Sequence, residues 1–313
     1  MDPLADLLTP VRARTASFCR IVLDRPWSLR IDDGAVLGLA TPLTGQAWVV
    51  PDVGDPRLLD AGDVAIVKGP APCTIADHPS TRPLVHVGPN NRLTTMNGVD
   101  VTDQLKVGTR AAQPSGQGST TLASGAYQVT GDVTDRLLAA LPDIVVVPRA
   151  DTPAPVMTFL ADQMVTDGPA QQVVLDRLLD IALVSTLRAW FARPGAEPPG
   201  WYRAHSDPVA GPTLRLIHDE PAYPWTVTEL ARRVGTSRAA LARRFTGLVG
   251  EPPISYLTGW RIALAADLLR TTNQTIEAIA HQVGYAGAFG LSVAFKRIRN
   301  LTPSQHRAGH SAA

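Results

Sequence analysis

Two cysteines in 313 residues, Cys19 and Cys73, are too few to staple a secreted domain, so the chain is not a disulfide scaffold. In a reducing compartment both read as small buried hydrophobes, with an oxidant-sensing thiol pair as the alternative. No run approaches the roughly 20 apolar residues that a membrane span needs. The opening MDPLADLLTPVRARTA also lacks the continuous apolar core of a signal peptide. A cytoplasmic protein with no membrane partner is expected. Net charge is nearly absent too, at +1, but the balance is uneven. Residues 207–313 carry twelve Lys and Arg against seven Asp and Glu, whereas residues 1–206 carry seventeen against twenty-one. A basic last third joined to an acidic remainder fits a phosphate-binding module attached to one that binds none.

That basic third contains a repeated pattern. In Thr226–Phe245, Leu230, Ala231 and Val234 form one apolar helix face, Gly235 sits where a turn needs a left-handed residue, and Leu241 and Phe245 anchor the next helix. Thr275–Phe295 repeats this with Ile276, Ile279, Ala280 and Val283, then Gly284, then Leu291 and Phe295, its turn one residue longer. Each reads as a helix-turn-helix unit. Thr226 and Glu229 predict a capping box, and Ser237 and Thr275 are helix caps. Between the units, Ile254–Arg270 has the periodicity of a rigid spacer, able to present two reading heads to successive major grooves about 34 Å apart. An all-helical bundle with no nucleic-acid role is the bland alternative. The basic residues Arg238, Arg243, Arg244, Lys296, Arg297 and Arg299, on or beside the candidate recognition helices, favour DNA.

The run GYAGAFGLSVAFKRIRNLTPSQHR, Gly284–Arg307, resembles the C-terminal signature of the AraC/XylS family of bacterial transcription regulators. The shared features are Gly284-Tyr285, Phe295-Lys296 and Thr302-Pro303, and the likeness runs from Pro208 to Arg307. It implies seven helices, with recognition helices at Ser237–Val249 and about Ala286–Ile298. It also implies DNA contacts from Ser237, Arg238, Ala239, Arg243 and Arg244 in the first unit, and from Ala288, Phe289, Ser292, Lys296 and Arg297 in the second. Asn300 and His306 stand where the family has glycine and tyrosine, both mild departures. Val293 replaces a long polar side chain, and Gly287, Ala288, Phe289 and Gly290 offer little hydrogen bonding. Base reading is therefore expected mainly from Arg238 and Arg243, with Lys296 and Arg297 holding phosphates.

From about Trp27 to Val147, short apolar runs alternate with Gly, Pro, Asp and Asn: Ala35–Leu39, Ala47–Val50, Val64–Val67, Leu84–Val87 and Asp143–Val147 read as strands. The stretch LLDAGDVAIVKGPAPCTIAD, with a turn at Asp60-Ala61-Gly62-Asp63, resembles the middle of a cupin barrel, the sensing domain of many AraC-family regulators. Gln113–Thr121 reads as a long exposed loop. The resemblance raises a rival, a metal-dependent cupin enzyme. Its His-x-His pattern occurs nowhere, no glutamate precedes Glu197, and the nearest candidates, Cys73, His78 and His86, are badly spaced. Catalysis, metal and cofactor are accordingly not expected. Cys19, Trp48, Cys73, His78 and His86 remain as effector or redox candidates.

Pro155–Val165 and Gln172–Phe191 read as helices broken at Asp167-Gly168-Pro169. The second carries a wide apolar surface, including Leu183 and Leu187, that either packs within the monomer or joins two copies. Arg193–Gly200 is a Pro- and Gly-rich linker, and Trp201–Tyr202 is expected to dock it.

The expected protein is α+β and multidomain: a cupin-like β-barrel sensor (1–150), a helical dimerisation segment and linker (151–206), and an all-α double helix-turn-helix domain (207–313). As a regulator of the AraC type it would bind promoter DNA as a homodimer, answer an unidentified small-molecule or redox effector, and meet RNA polymerase if it activates. An architectural DNA-binding protein without sensing is the second alternative.

Overall fold

The computed structural model describes residues 3–8, 18–89, 92–105, 120–127, 131–152, 154–163, 166 and 168–311. Two compact units emerge, and the chain enters each more than once: Met1–Pro10, Thr130–Ala140 and Glu197–Ala313 form a helical unit, Val11–Val129 and Leu141–Ala196 a strand-rich one.

The strand unit holds β1 Phe18–Leu23, β2 Ser28–Ile31, β3 Leu37–Thr44, β4 Ala47–Pro51, β5 Arg57–Leu59, β6 Val64–Lys68, β7 Cys73–Ala76, β8 Val85–Val87, β9 Leu93–Thr95, β10 Thr120–Tyr127 and β11 Ile144–Val147. A five-stranded sheet runs β1-β10-β3-β6-β11 and a six-stranded one β5-β4-β7-β2-β8-β9. The two sheets share one core: Ile21, Ala40 and Leu122 of the first pack with Leu29, Ile75 and Val87 of the second. The turn before β6 forms as expected, with Asp63 N donating to Asp60 O at 2.9 Å and Gly62 at φ +90°. The expected loop at 113–121 is only partly testable, because 113–119 lie outside the described residues. Its last two residues, Thr120 and Thr121, open β10, where Thr121 pairs with Val22 on one side and Thr44 on the other.

Helices α2 Thr102–Leu105, α4 Ala154–Gln163 and α5 Gln171–Ala192 complete this unit; Met164, Val165 and Asp167 are not described. Leu175, Leu179, Ala182, Leu183, Leu187 and Phe191 of α5 are buried, and the buried Tyr127 hydroxyl donates to Leu179 O at 2.6 Å. Much of the apolar stripe, Leu183 and Leu187 included, therefore belongs to the monomer core.

The helical unit holds α1 Pro3–Leu8, α3 Asp132–Leu138, α6 Gly200–Arg203, α7 Ala210–Asp219, α8 Val227–Arg233, α9 Arg238–Val249, α10 Pro253–Thr271, α11 Ile276–Gln282, α12 Ala288–Arg299 and α13 Pro303–Ser311. The last seven match the seven expected. Two early segments dock on them. Asp6 of α1 lies 2.7 Å from Nδ1 of the buried His218, whose Nε2 is 2.8 Å from the Tyr256 hydroxyl. The Asp267 carboxylate accepts from the first amides of α3, Asp132 N at 2.8 Å and Val133 N at 3.3 Å, while Arg299 pairs with the Asp132 carboxylate.

The two turn glycines differ in surroundings. Gly235 has φ +71° and open space around a would-be Cβ, whereas at Gly284, φ +89°, that atom would sit 2.7 Å from Ala222 Cα and 2.8 Å from Arg261 Nη2. Gly235→Ala should cost about 1–2 kcal/mol from the left-handed backbone alone. Gly284→Ala should cost clearly more, read as the larger fall in denaturant midpoint. Equal losses would mean that the approach to Ala222 imposes nothing.

Candidate nucleic-acid interface and effector cleft

Both helix-turn-helix units use the same backbone device. Thr236 N donates to Ala231 O at 2.9 Å in the first turn, and Tyr285 N to Ala280 O at 2.8 Å in the second. In each case the residue after the glycine reaches back to the alanine, which needs the glycine's left-handed conformation between them. Thr226 Oγ1 accepts from Glu229 N at 3.1 Å, so half of the expected capping box forms. The Glu229 carboxylate goes instead to Arg232 at 2.6 Å and Arg233 at 3.0 Å, and these guanidinium hydrogen bonds hold it down at about 2.

Ser237 Oγ accepts from Ala240 N at 3.2 Å and starts α9. Leu241 and Phe245 are fully buried, which leaves Arg238, Ala239 and Arg243 on the exposed face. Arg243 and Arg238 form no ion pair or hydrogen bond among the described residues. Arg244 is different. Its Nε lies 2.8 Å from an Asp207 oxygen, and that carboxylate also accepts from Val209 N and Ala210 N at the start of α7.

The second unit starts with Thr275 Oγ1 accepting from Ala278 N at 3.1 Å. Its recognition helix, α12, begins at Ala288 rather than the expected Ala286, because the Glu277 carboxylate caps Ala288 N at 2.7 Å. Leu291 and Phe295 are fully buried, fifty residues on from Leu241 and Phe245, so Phe289 and Val293 occupy the places of Ala239 and Arg243. Phe289 is 84% exposed and Val293 56%. Lys296 and Arg297 are exposed with no ion pair among the described residues, and Ala288 and Ser292 are half-buried. Asn300 ends α12 at φ +60°, so asparagine serves the glycine position. A full capping box, Thr302 N to Gln305 Oε1 at 2.8 Å and Gln305 N to Thr302 Oγ1 at 3.3 Å, starts α13. The S/T-x-x-Q pattern in the sequence signals it.

Sequence reasoning also missed Arg261. From α10 it donates to Pro221 O and Tyr223 O, both at 2.7 Å, and lies 5.8 Å from the Tyr285 ring centroid.

In the strand unit, a cleft partly open to solvent has walls from Ile31, Leu39, Ile75, Val87 and Ser124–Ala126 and carries Asp32, Asp33 and Cys73. Cys73 is buried, and loss of hydration pushes its thiol up to about 12. His86 borders the site, 3.5 Å from the Asp32 carboxylate. His78 bonds instead to Ser80 Oγ at 2.8 Å, and Trp48 stands on β4 opposite Ala76 and Leu58; neither lines the cleft. Cys19 pairs in register with Ser124, but its side chain is outside the described residues. Among the described residues no three His, Cys, Asp or Glu cluster as metal ligands, and no helix is long and apolar enough to cross a membrane.

A strand-rich domain of two sheets and a tandem helix-turn-helix define a DNA-binding transcription regulator. Residues 2–192 match the family described as Cupin, and residues 230–309 the Helix-turn-helix domain. The chain is 35% identical over 98% of both chains to a protein of Streptomyces lividans described as an AraC-like transcription regulator. A protein of Streptomyces antibioticus with the same description is 32% identical, again over 98% of each. The HTH-type transcriptional regulator AlkR of Acinetobacter baylyi is 34% identical over 48% of each chain. The chain belongs to the AraC-like transcription regulators with an N-terminal cupin domain. Both Streptomyces relatives are described as transcription regulators.

With its thiol pushed up to about 12, Cys73 holds a thiolate fraction of order one in ten thousand at pH 8. In a Cys19→Ser protein, iodoacetamide at pH 8 should leave Cys73 unmodified in the folded state and alkylate it in urea, read by mass spectrometry. Rapid modification of the folded protein would restore Cys73 as a redox candidate.

Proposed function

We propose that this regulator reads promoter DNA through α9 and α12 as a homodimer, with output set by a small molecule in the cleft of the strand unit. The observation that carries the DNA reading is the pair of cations Arg238 and Arg243 on the exposed face of α9, free of ion pairs among the described residues. A donor with no protein partner is available to a base edge or a phosphate. Lys296 and Arg297 supply phosphate contacts from α12. Arg244, held by Asp207, positions α9 rather than touching DNA. The residue division proposed is sensing within 1–150, dimerisation within 151–206 and DNA binding within 207–313.

A route from cleft to reading head lies along the chain itself. Ser124, Gly125 and Ala126 of β10 line the cleft. A few residues later the chain forms α3, whose first amides are held by Asp267 on α10. A ligand that favours one position of β10 would bias α3 through this covalent link, and a shift in populations is all that regulation requires. The walls suit a ligand with an apolar body. A redox signal through Cys73 is disfavoured by its buried thiol, and RNA polymerase is a partner only if the protein activates.

For the dimer, α5 leaves Val173 and Ile181 exposed and α4 leaves Phe159. Ile181→Asp with Val173→Asp should turn a dimer into monomers that bind a single site weakly, since tethering raises effective concentration. Sedimentation checks this, and a wild type that is monomeric at micromolar concentration would sink the dimer.

Arg243→Ala should cost about 1–3 kcal/mol on a selected site and relax specificity at the pair it faces. Lys296→Ala should weaken binding to all sequences alike and lower the salt slope by about one. Equal loss on specific and random DNA would make Arg243 a phosphate contact only.

A further inference from the structure

The face of α12 that corresponds to the Arg243 face of α9 carries hydrocarbon. Phe289, 84% exposed, and Val293, 56% exposed, are four residues apart and so form one strip along the helix. Nothing in the helical core needs them, since Leu291, Ala294 and Phe295 fill that side. Cations continue the strip. Arg297 is four residues beyond Val293, and Lys296 sits beside it, both exposed. An apolar nose backed by positive charge suits a partner whose apolar spots lie inside a polyanion.

Hydrogen-bond reading and phosphate binding are both poorly served at the start of α12. The Ala288 amide is taken by the Glu277 carboxylate at 2.7 Å, and that same carboxylate repels a phosphate. The N-terminal residues of a recognition helix are the ones that meet base edges. On the floor of the major groove, the apolar group is the 5-methyl of thymine.

We propose that Phe289 and Val293 read thymine 5-methyl groups, so that the two heads of this regulator use different chemistry: guanidinium donors on α9 and hydrocarbon contact on α12. The inference rests on the DNA reading above.

The full-length chain is first used to select duplexes from a random-sequence pool. Arg243→Ala then marks the pairs read by α9. In the selected duplex, each thymine about one helical turn away is replaced singly by deoxyuridine, which keeps every hydrogen-bonding group and removes only the methyl. Burying one methyl is worth about fourfold in affinity. One or two positions should therefore lose about fourfold with the wild type. Phe289→Ala or Val293→Ala should bind the thymine and deoxyuridine duplexes alike at those positions while keeping the preference facing Arg243. Both side chains are exposed, so neither substitution empties the core.

Indifference of the wild type to every deoxyuridine would overturn the proposal while leaving the DNA reading intact. So would variants that retain the deoxyuridine penalty. A Phe289→Ala protein with unchanged affinity and base preference but altered oligomeric state or lost transcriptional output would assign the strip to a protein partner instead. Failure of the wild type to select any sequence would overturn the DNA reading and this proposal together.

Discussion

Arg261 ties the helical unit together. Its guanidinium is half-buried, and loss of hydration pulls its pKa below the usual arginine value. Such a group is tolerable only if its donors are used. They go to Pro221 O and Tyr223 O in the segment leading into α8, while the Tyr285 ring of the second turn faces it. One side chain on α10 thus fixes the entry to the first head and the turn of the second. With 19 residues, α10 is about 28 Å long. The separation of α9 and α12 is thus set within the protein.

Helices α8 to α12 were legible to within a residue or two because their signals are local. Caps at Thr226, Ser237 and Thr275 and left-handed residues at Gly235, Gly284 and Asn300 all stand where the pattern puts them. What escaped was non-local. The Glu277 cap on α12 spans eleven residues, and the Arg244–Asp207 pair spans thirty-seven. Periodicity carries no trace of either. The strand unit was less legible for the same reason. β7 and β10 carry no clean alternation, being buried on both faces or nearly so: all four residues of β7 are buried, and seven of eight in β10. The effector candidates fared unevenly because a residue type gives no direction. Cys73 faces a cleft, whereas Trp48 and His78 do not line it.

The linear order of the sequence also hid how the chain is shared out. Residues 3–8 and 132–138 read as parts of a sensor, yet each is fastened to the helical unit by a carboxylate, Asp6 on His218 and Asp267 on the start of α3. Neither contact can be found by pattern, since the partners are 212 and 135 residues apart. Their chemistry is nonetheless ordinary: a buried imidazole with both nitrogens engaged, and a helix N-terminus that needs an acceptor.

Duplicated backbone geometry with divergent surfaces separates what folding demands from what reading demands. Both units keep the alanine, the glycine, the leucine and the phenylalanine, because those four close the turn and fill the space under it. No such demand reaches the outer face of the recognition helices. There Arg243 in one unit and Val293 in the other occupy the same place on the same scaffold. A change at that position alters what is touched without disturbing Leu291 or Phe295 beneath it. The two heads can therefore carry unlike chemistry on like helices, with the 19-residue α10 fixing the spacing between them.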